Sequence, residues 1–525
     1  VSGVVEDQTL VIALLSAPAT HAGQTVERID THAAVVFLAA TRAYKLKRAV
    51  RYDYLDFSTP DLRRAACEAE LRLNRRTAPT LYRRVLPVTR EDDGALVLDG
   101  AGAPVDWVLE MERFPQEALF DRLAADGRLD LSLMPALARA IAAFHREAEP
   151  RTDHGGRAGM AWVVEGNAAG FAEFGTGWLA GARAARVTAS ARAGLDRWSS
   201  LLDARRDGGY VRQCHGDLHL RNIVLLDGHP TLFDGVEFND EIACIDVLYD
   251  LAFLLMDLWR RHLPRHANAV WNRYLAETDD LDALALLPLF LSCRAAVRAK
   301  TSATAAALAS DAARRDQLRA LAGEYLAMAE ALLEPPPARL VAVGGLSGTG
   351  KSTLAQGLAP AIGPVPGAVV LRSDEVRKQL AGVAPLDHLP PAGYARDMSA
   401  RVYATLTQRA RRVLAQGHSV IVDAVYQRAD DRGALARLAV DAAVPFTGLW
   451  LEAPDATLMA RVEARVDDPS DADASVIRLQ RAQAPGAIDW HRVDASAAPD
   501  VVLARASDIV AAESRPSSGR DDRRD

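Results

Sequence analysis

Near the middle of this 525-residue chain, the stretch Cys214–Asn222 reads CHGDLHLRN. It places Asp217 five residues before Asn222, and Asp234 follows twelve residues later in LFDGVEF. Phosphoryl transfer to a hydroxyl needs these residue types in this order. A carboxylate must orient the acceptor hydroxyl and take its proton. An amide oxygen must reach magnesium without adding charge, and a second carboxylate must join the metal to the phosphates. The pattern H-R-D-L-x-x-x-N has the same Asp-to-Asn separation. Taken singly, His215, Asp217 and Asn222 read as turn residues. The ordered triplet between apolar strands points to a catalytic loop.

A second stretch, GGLSGTGKST from Gly344 to Thr353, fits G-x-x-x-x-G-K-[ST] through Gly345, Gly350, Lys351 and Ser352. An apolar strand precedes it and a helix follows, the context in which backbone N–H groups and a helix N-terminus surround phosphates. Gly345, Ser347, Gly348, Thr349, Gly350 and Thr353 are expected to form this nucleotide-binding loop. Lys351 would reach the β- and γ-phosphates, and Ser352 would ligate magnesium. The next strand ends in LRSDEVRK. Asp374 there is a candidate to bind or deprotonate an acceptor hydroxyl, and Arg377 to contact an anionic part of it; Ser373 or Asp374 as a simple helix N-cap is the competing reading. Asp423, ending SVIVDA, is a candidate metal-side carboxylate. Arg461 and Arg465 fall four apart on one helix face, either functional or solvated.

These residues require two kinds of scaffold. Strands in AAVVFLAATRAYKLKR, with a turn near Ala40–Arg42, precede a helix in DLRRAACEAELRLNRR; strands return in LYRRVLPVTR and DWVLEMERF. From SLMPALARAIAAFHREAE onward the pattern is mainly helical. The expectation is an α+β two-lobed domain, strand-rich then helix-rich. Beyond Pro335–Pro337, which cannot continue a helix, strands and helices alternate, as in an α/β domain with a parallel sheet. The expected domains are residues 1–335 and 336–512, with 513–525 a disordered tail.

The HGDLHLRN and FDGVEFND segments resemble the aminoglycoside phosphotransferase superfamily, relatives of protein kinases that phosphorylate small hydroxyl compounds; the resemblance covers about residues 25–330. It implies a two-lobed, protein-kinase-like fold with ATP between the lobes. It also makes Lys45 in RAYKLKR the phosphate-binding lysine, with Lys47 on the same strand face competing, and Glu70 or Glu68 its helical partner. Leu109–Phe114 becomes the hinge. No glycine-rich loop precedes Lys45, where the chain reads IDTHAAVV. Residues 338–512 resemble the P-loop kinases grouped with gluconate, shikimate and polynucleotide 5′-hydroxyl kinases, an AAA-type ATP-binding domain. That likeness implies a lid in which Arg461 and Arg465 neutralise the transferring phosphoryl group.

Composition narrows the partners. A net charge of −7 and a pI near 6.0 weigh against a general nucleic-acid binder. The four cysteines form no C-x-x-C pair, and LYDLAFLLMDLW is broken by Asp250 and Asp257. A cytoplasmic protein with no membrane span is expected. Together the motifs imply a bifunctional ATP- and Mg2+-dependent phosphotransferase acting on small-molecule hydroxyls. Two alternatives stand beside it: one domain as a nucleotide-binding regulator, or the C-terminal domain as a polynucleotide 5′-hydroxyl kinase.

Overall fold

The computed structural model describes residues 4–513 except 53–54, 176, 180, 385–386, 465–469 and 483–484. It divides into two compact units: Val1–Arg261 with Cys293–Leu326, and His262–Ser292 with Ala327–Asp525. Residues 262–292, upstream of the three prolines, therefore belong by compactness to the second unit. Among the described residues no helix is long and apolar enough to cross a membrane.

The first unit has a strand-rich small lobe followed by a helix-rich large lobe. Its small lobe is an antiparallel sheet of six strands: β1 (Val26–Asp30), β2 (Ala34–Ala39), β3 (Arg42–Lys47), β4 (Tyr82–Arg90), β5 (Leu96–Leu98) and β6 (Ala103–Glu112). Their order is β1-β2-β3-β6-β4-β5. Strand alternation sorts the side chains of β3. Leu46 joins Val35, Phe37, Leu86 and Val108 on one face, under Val11 and Leu15 of the helix Thr9–Ser16. Lys45 and Lys47 point to the opposite face, toward the helix Pro60–Asn74. That helix starts where the sequence starts it: the Thr59 hydroxyl accepts from the Leu62 N–H, Pro60 occupies the first turn, and Asp61 and Arg72 complement its two ends. β1 and β5, at the sheet's two edges, were not legible in the sequence.

The large lobe is mainly helical. A loop runs between the strands Val211–Gln213 and Ile223–Leu226, and the latter forms a hairpin with His229–Leu232. Beneath it lies the helix Val247–Arg260, capped by Asp246, whose carboxylate accepts from the Leu248 N–H. Its residues Val247–Leu258 are all buried.

The second unit holds a parallel sheet of five strands: β7 (Leu340–Gly345), β8 (Val369–Arg372), β9 (Val420–Asp423), β10 (Phe446–Glu452) and β11 (His491–Asp494), in the order β8-β9-β7-β10-β11. The central strand β7 is buried at every position, as its unbroken apolar run LVAVGG requires. On one face Val341, Val343, Ile421, Leu449 and Leu451 form a core with the helices Lys351–Leu358 and Pro499–Ala512. The edge strand β8 is covered by an element that the sequence did not connect with it, the helix Pro264–Thr278. Asn272 Oδ1 accepts from the Val370 N–H at 2.6 Å, and its amide donates to the Ala368 carbonyl at 3.2 Å. Asn268 donates to the carbonyls of Pro366 and Ala368. Side-chain amides thus take the place of a sixth strand on an otherwise open edge. Of the expected tail, Glu513 caps the last helix and bonds Thr447; the rest lies outside the described residues.

Candidate functional site

In the first unit the two lysines of β3 share one glutamate. Lys45 Nζ donates to Glu70 Oε1 at 2.8 Å and to Asp234 Oδ1 at 2.5 Å. Lys47 Nζ donates to Glu70 Oε2 and to Glu237 Oε1. Five alternating charges result, running Asp234, Lys45, Glu70, Lys47, Glu237. Glu68 instead pairs with Arg64 on the solvent side of the helix. Lys47 and Glu237 are buried, whereas the Asp234 side chain is 43% exposed. Lys45 is therefore the lysine beside the open carboxylate. Burial works against the Lys45 ammonium, but Asp234, Glu70 and Glu237 outweigh it and raise its pKa well above the ordinary value. Burial likewise opposes the Glu70 carboxylate, and the two lysines overcome this, bringing it to about 2.

Asp217 and Asn222 lie on the loop after Gln213. Asn222 Nδ2 donates to the Asp217 carbonyl at 2.9 Å and to Asp217 Oδ2 at 3.0 Å. Burial would raise the Asp217 carboxyl, but His219, Arg298 and His215 hold it well below the usual carboxylate range. The loop is fixed from beneath by two acids of the helix Val247–Arg260. Asp250 accepts the N–H groups of His215 and Gly216 at 3.1 and 2.9 Å, and also bonds His145 Nε2 at 3.1 Å. Asp257 accepts the Leu220 N–H at 3.1 Å. His215 Nε2 bonds the Phe233 carbonyl, and the Val236 N–H donates to the His215 carbonyl, so this loop and the Asp234 segment are tied directly. Asp234 sits at φ 61, a left-handed conformation rare outside glycine. Its N–H donates to the Tyr82 hydroxyl at 3.0 Å and the Gly235 N–H donates to Asn74 Oδ1 at 2.7 Å, which hold it there.

In the second unit, Gly345 and Gly348 take φ of 138 and 83; a Cβ at those positions would lie 2.6 Å from the Leu451 carbonyl oxygen and 2.7 Å from that of Leu458. Only glycine fits this loop. Lys351, Ser352 and Thr353 open the following helix, with Thr353 exposed. Lys351 Nζ donates to the Leu346 carbonyl at 3.0 Å, and Thr349 Oγ1 donates to the same oxygen at 2.8 Å. Ser352 Oγ donates to Asp423 Oδ2 at 2.5 Å. Arg372, at the end of β8, reaches Ser352 Oγ at 3.1 Å and lies 3.7 Å from Asp423. Burial pushes the Asp423 carboxyl up against the pull of Lys351 and Arg372.

Asp374 lies half-buried in the first turn of the helix Ser373–Ala381. The N-cap position is Arg372 and no side chain caps it, so neither Ser373 nor Asp374 serves as the cap. Arg377 is buried, donating to the Gly393 carbonyl at 2.9 Å and to Ser399 Oγ at 3.3 Å. Its guanidinium stacks over Tyr394, 5.1 Å from the ring centre. Arg461 donates to the Ala497 carbonyl at 3.5 Å. Arg465 lies outside the described residues. The arm that follows bonds to both sides of the site. Asp471 accepts from Lys378 Nζ at 2.9 Å and from the Tyr394 hydroxyl at 2.7 Å, while Gln480 exchanges two bonds with Ser347 of the phosphate loop, at 2.9 and 3.1 Å. A groove of about 630 Å³ opens beside the loop, lined by Leu346, Thr349, Trp450, Glu452 and Arg492.

Glu237, Asp250, Asp257, Arg372, Asp471 and Gln480 were not identified from the sequence. A signal existed for one pair: Asp250 and Asp257 interrupt an apolar helix seven residues apart, which places them on one face. Glu237 and Asp471 belong to short irregular segments with no period, whereas Arg372 ends the apolar strand β8 and Gln480 lies on the helix Ala474–Ala482, neither of which marks its partner.

Residues 340–486 match the family model described as an AAA domain. The adenylyl-sulfate kinase of Myxococcus xanthus is 32% identical over 117 residues, covering 22% of this chain and 59% of that protein. Among solved structures, a choline/ethanolamine kinase family protein from Mesorhizobium loti matches with 14% identity and a TM-score of 0.39, covering 62% of this chain and 94% of that one. A Mycobacterium tuberculosis protein described as uncharacterized is 30% identical over 478 residues, covering 89% of this chain and 91% of its own length. The chain, whose second unit carries the match to the AAA domain, belongs to the same family as that mycobacterial protein.

Proposed function

We propose that this protein is a bifunctional ATP-dependent phosphotransferase, with residues 1–335 and 336–512 each carrying a site that transfers a γ-phosphoryl group to a small-molecule hydroxyl. One observation carries the reading. In each unit a nucleotide-binding side chain lies 2.5 Å from a carboxylate contributed by a distant segment: Lys45 to Asp234, and Ser352 to Asp423. The residues expected to meet a metal are all oxygen donors: Asn222 and Asp234 in the first unit, Ser352 and Asp423 in the second. Such a set suits Mg2+. Bound MgATP supplies the phosphoryl group and neutralises part of its charge.

The chain's own groups do the rest. Lys45 binds phosphate oxygens and Glu70 orients it. Asp217, ionised and bonded to Asn222, orients the acceptor hydroxyl and takes its proton. In the second unit the glycine loop cradles phosphates and Lys351 binds them. Asp374 faces the acceptor, and Arg461 with Arg465 offsets phosphoryl charge. The groove beside Trp450 is the proposed pocket for the base. The adenylyl-sulfate kinase relative supports phosphoryl transfer by the second unit. Arg377 is already bonded within the protein, which counts against its gripping a polynucleotide.

A second reading draws on the turn between β1 and β2, which runs through Thr31, His32 and Ala33 with no glycine to clamp phosphates. It makes the first unit a nucleotide-binding regulator. One experiment separates the readings. Full-length protein, Asp217→Asn and Lys351→Ala are incubated with ATP and a library of hydroxyl metabolites and 5′-hydroxyl oligonucleotides, and products are read by mass. The two-site reading expects each variant to lose different products. Loss of every product in Lys351→Ala and of none in Asp217→Asn assigns the first unit a regulatory role. Oligonucleotide labelling that disappears in Lys351→Ala and in a further variant, Arg377→Ala, supports the polynucleotide alternative. Full retention by both variants removes the two-site mechanism.

A further inference from the structure

Lys47 and Glu237 have no part in phosphoryl transfer as described above, yet they are among the most enclosed charges of the first unit, with side chains 3% and 4% exposed. Charges so far from water are tolerated only when each is paired and hydrogen-bonded. Lys47 meets that condition twice, through Glu237 and through Glu70 Oε2. Its ammonium also lies 5.2 Å from the centre of the Phe57 ring, and Phe238, next to Glu237, meets the same ring edge-on. Glu70 is thus shared, one oxygen to each lysine.

The sharing matters because Lys45 has two tasks that conflict. It bonds both Glu70 and Asp234, but binding phosphates draws it toward the nucleotide, and Asp234 must be released to face the metal. With a single lysine, that movement would take away the charged tie from β3 to both the helix Pro60–Asn74 and the Asp234 segment, leaving neutral bonds such as Gly235 to Asn74 and Asp234 to Tyr82. Here the second lysine bridges them. Glu237 lies three residues beyond Asp234 on the same short segment, so the bond from β3 through Lys47 to Glu237 anchors that segment independently of Lys45.

We infer that Lys47 and Glu237 form a positioning pair, which keeps Glu70 and the metal-facing Asp234 in place while Lys45 transfers from Asp234 to the nucleotide. The inference rests on the first unit being a nucleotide site, and the test separates the two. Full-length protein carrying Lys351→Ala, to silence the second site, is compared with the same chain bearing Lys45→Met, Lys47→Met, Glu237→Gln or the last two together. Binding of a non-hydrolysable ATP analogue is measured by calorimetry without metal and across a Mg2+ titration, alongside turnover and thermal melting. Lys45→Met should weaken analogue binding by about tenfold or more even without metal. Lys47→Met and Glu237→Gln should weaken metal-free binding much less than Lys45→Met does, while raising the Mg2+ half-saturation or lowering turnover by about 10–100-fold, as loss of an outer-shell metal partner does. The double variant should be no worse than the stronger single one. Glu237→Gln keeps the side-chain shape and decides the matter if Lys47→Met does not fold. Unchanged Mg2+ dependence and turnover in Glu237→Gln overturn the positioning role. A loss of metal-free binding in Lys47→Met equal to that in Lys45→Met makes Lys47 a phosphate ligand instead. If the Lys351→Ala parent binds no analogue at all, the nucleotide-site reading of the first unit fails, and the positioning role falls with it.

Discussion

In the second unit most of the candidate nucleotide contacts fall within Gly345–Thr353, one loop at the end of one strand. In the first unit the charges that meet come from positions 45, 47, 70, 234 and 237, with Asp217 and Asn222 on yet another loop. The second site is held mainly by backbone conformation: glycines with positive φ, a buried parallel strand, a helix N-terminus. The first is held by buried side-chain ion pairs and by two acids that grip a loop from the helix below. A backbone-built site depends on the few positions where a Cβ cannot fit. A side-chain-built site depends on every member of a network, because removing one partner leaves another buried and uncompensated.

That contrast can be broken in order of effect. Asp217→Asn, made in the Lys351→Ala background, should lower first-site turnover by about 10²–10⁴-fold, the range for loss of a general base. Retained turnover in that assay would remove Asp217 from the chemistry. Asp250→Ala should cost the first unit about 3–5 kcal/mol, because it removes the acceptor of two loop N–H groups and the carboxylate that bonds His145. Chemical unfolding should show the loss, while analogue binding at the phosphate loop stays as in the parent; a change below about 1 kcal/mol would mean that the loop holds itself.

The third effect concerns pH and the second unit. His418 is buried against Trp271, and burial brings its pKa down to about 4, partly offset by its bond to the Ser419 carbonyl. Between pH 6.5 and 4 the unfolded chain binds this proton and the folded unit does not. The contribution is therefore present above pH 6.5 and lost as pH falls toward 4, up to about 3 kcal/mol. Denaturant midpoints for His418→Phe should fall less steeply over that range; an identical slope would exclude His418 as the source. The smallest effect is expected at the sheet edge. Asn272→Leu leaves the Val370 N–H without its acceptor and should cost the second unit about 1–3 kcal/mol. A C-terminal piece beginning at residue 336 lacks Asn272 and Asn268 altogether, so it should expose strand β8 and associate in a concentration-dependent way, measurable by light scattering. A monomeric, stable piece would show the helix Pro264–Thr278 to be dispensable.

What was legible followed from chemistry that is local in sequence. Gly345, Gly348 and Gly350 announce a loop because glycine adopts such backbone angles at least cost, and the apolar run of β7 announces a central parallel strand. Asp217 and Asn222 were legible because a short loop fixes their spacing. The choice between Lys45 and Lys47 was not: both lie on the same strand face, and only the position of Asp234 separates them. The surroundings of Arg377 were not legible either: it lies on the helix after β8, and only the tertiary structure brings it to the Gly393 carbonyl and the Ser399 hydroxyl.

The sequence by itself determined the two motifs, the alternation of strands and helices around the second, and the presence of residue types that phosphoryl transfer would use, because these depend on backbone geometry and on spacing within a dozen residues. Only the tertiary structure decided which charges meet. The pairing of Lys47 with Glu237, the grip of Asp250 and Asp257 on the loop at His215, the approach of Arg372 to Ser352, and the cover of β8 by Asn272 all join segments far apart in the chain. Each depends on Coulomb attraction and hydrogen bonding between groups buried together, and nothing in the local periodicity of either partner records the other.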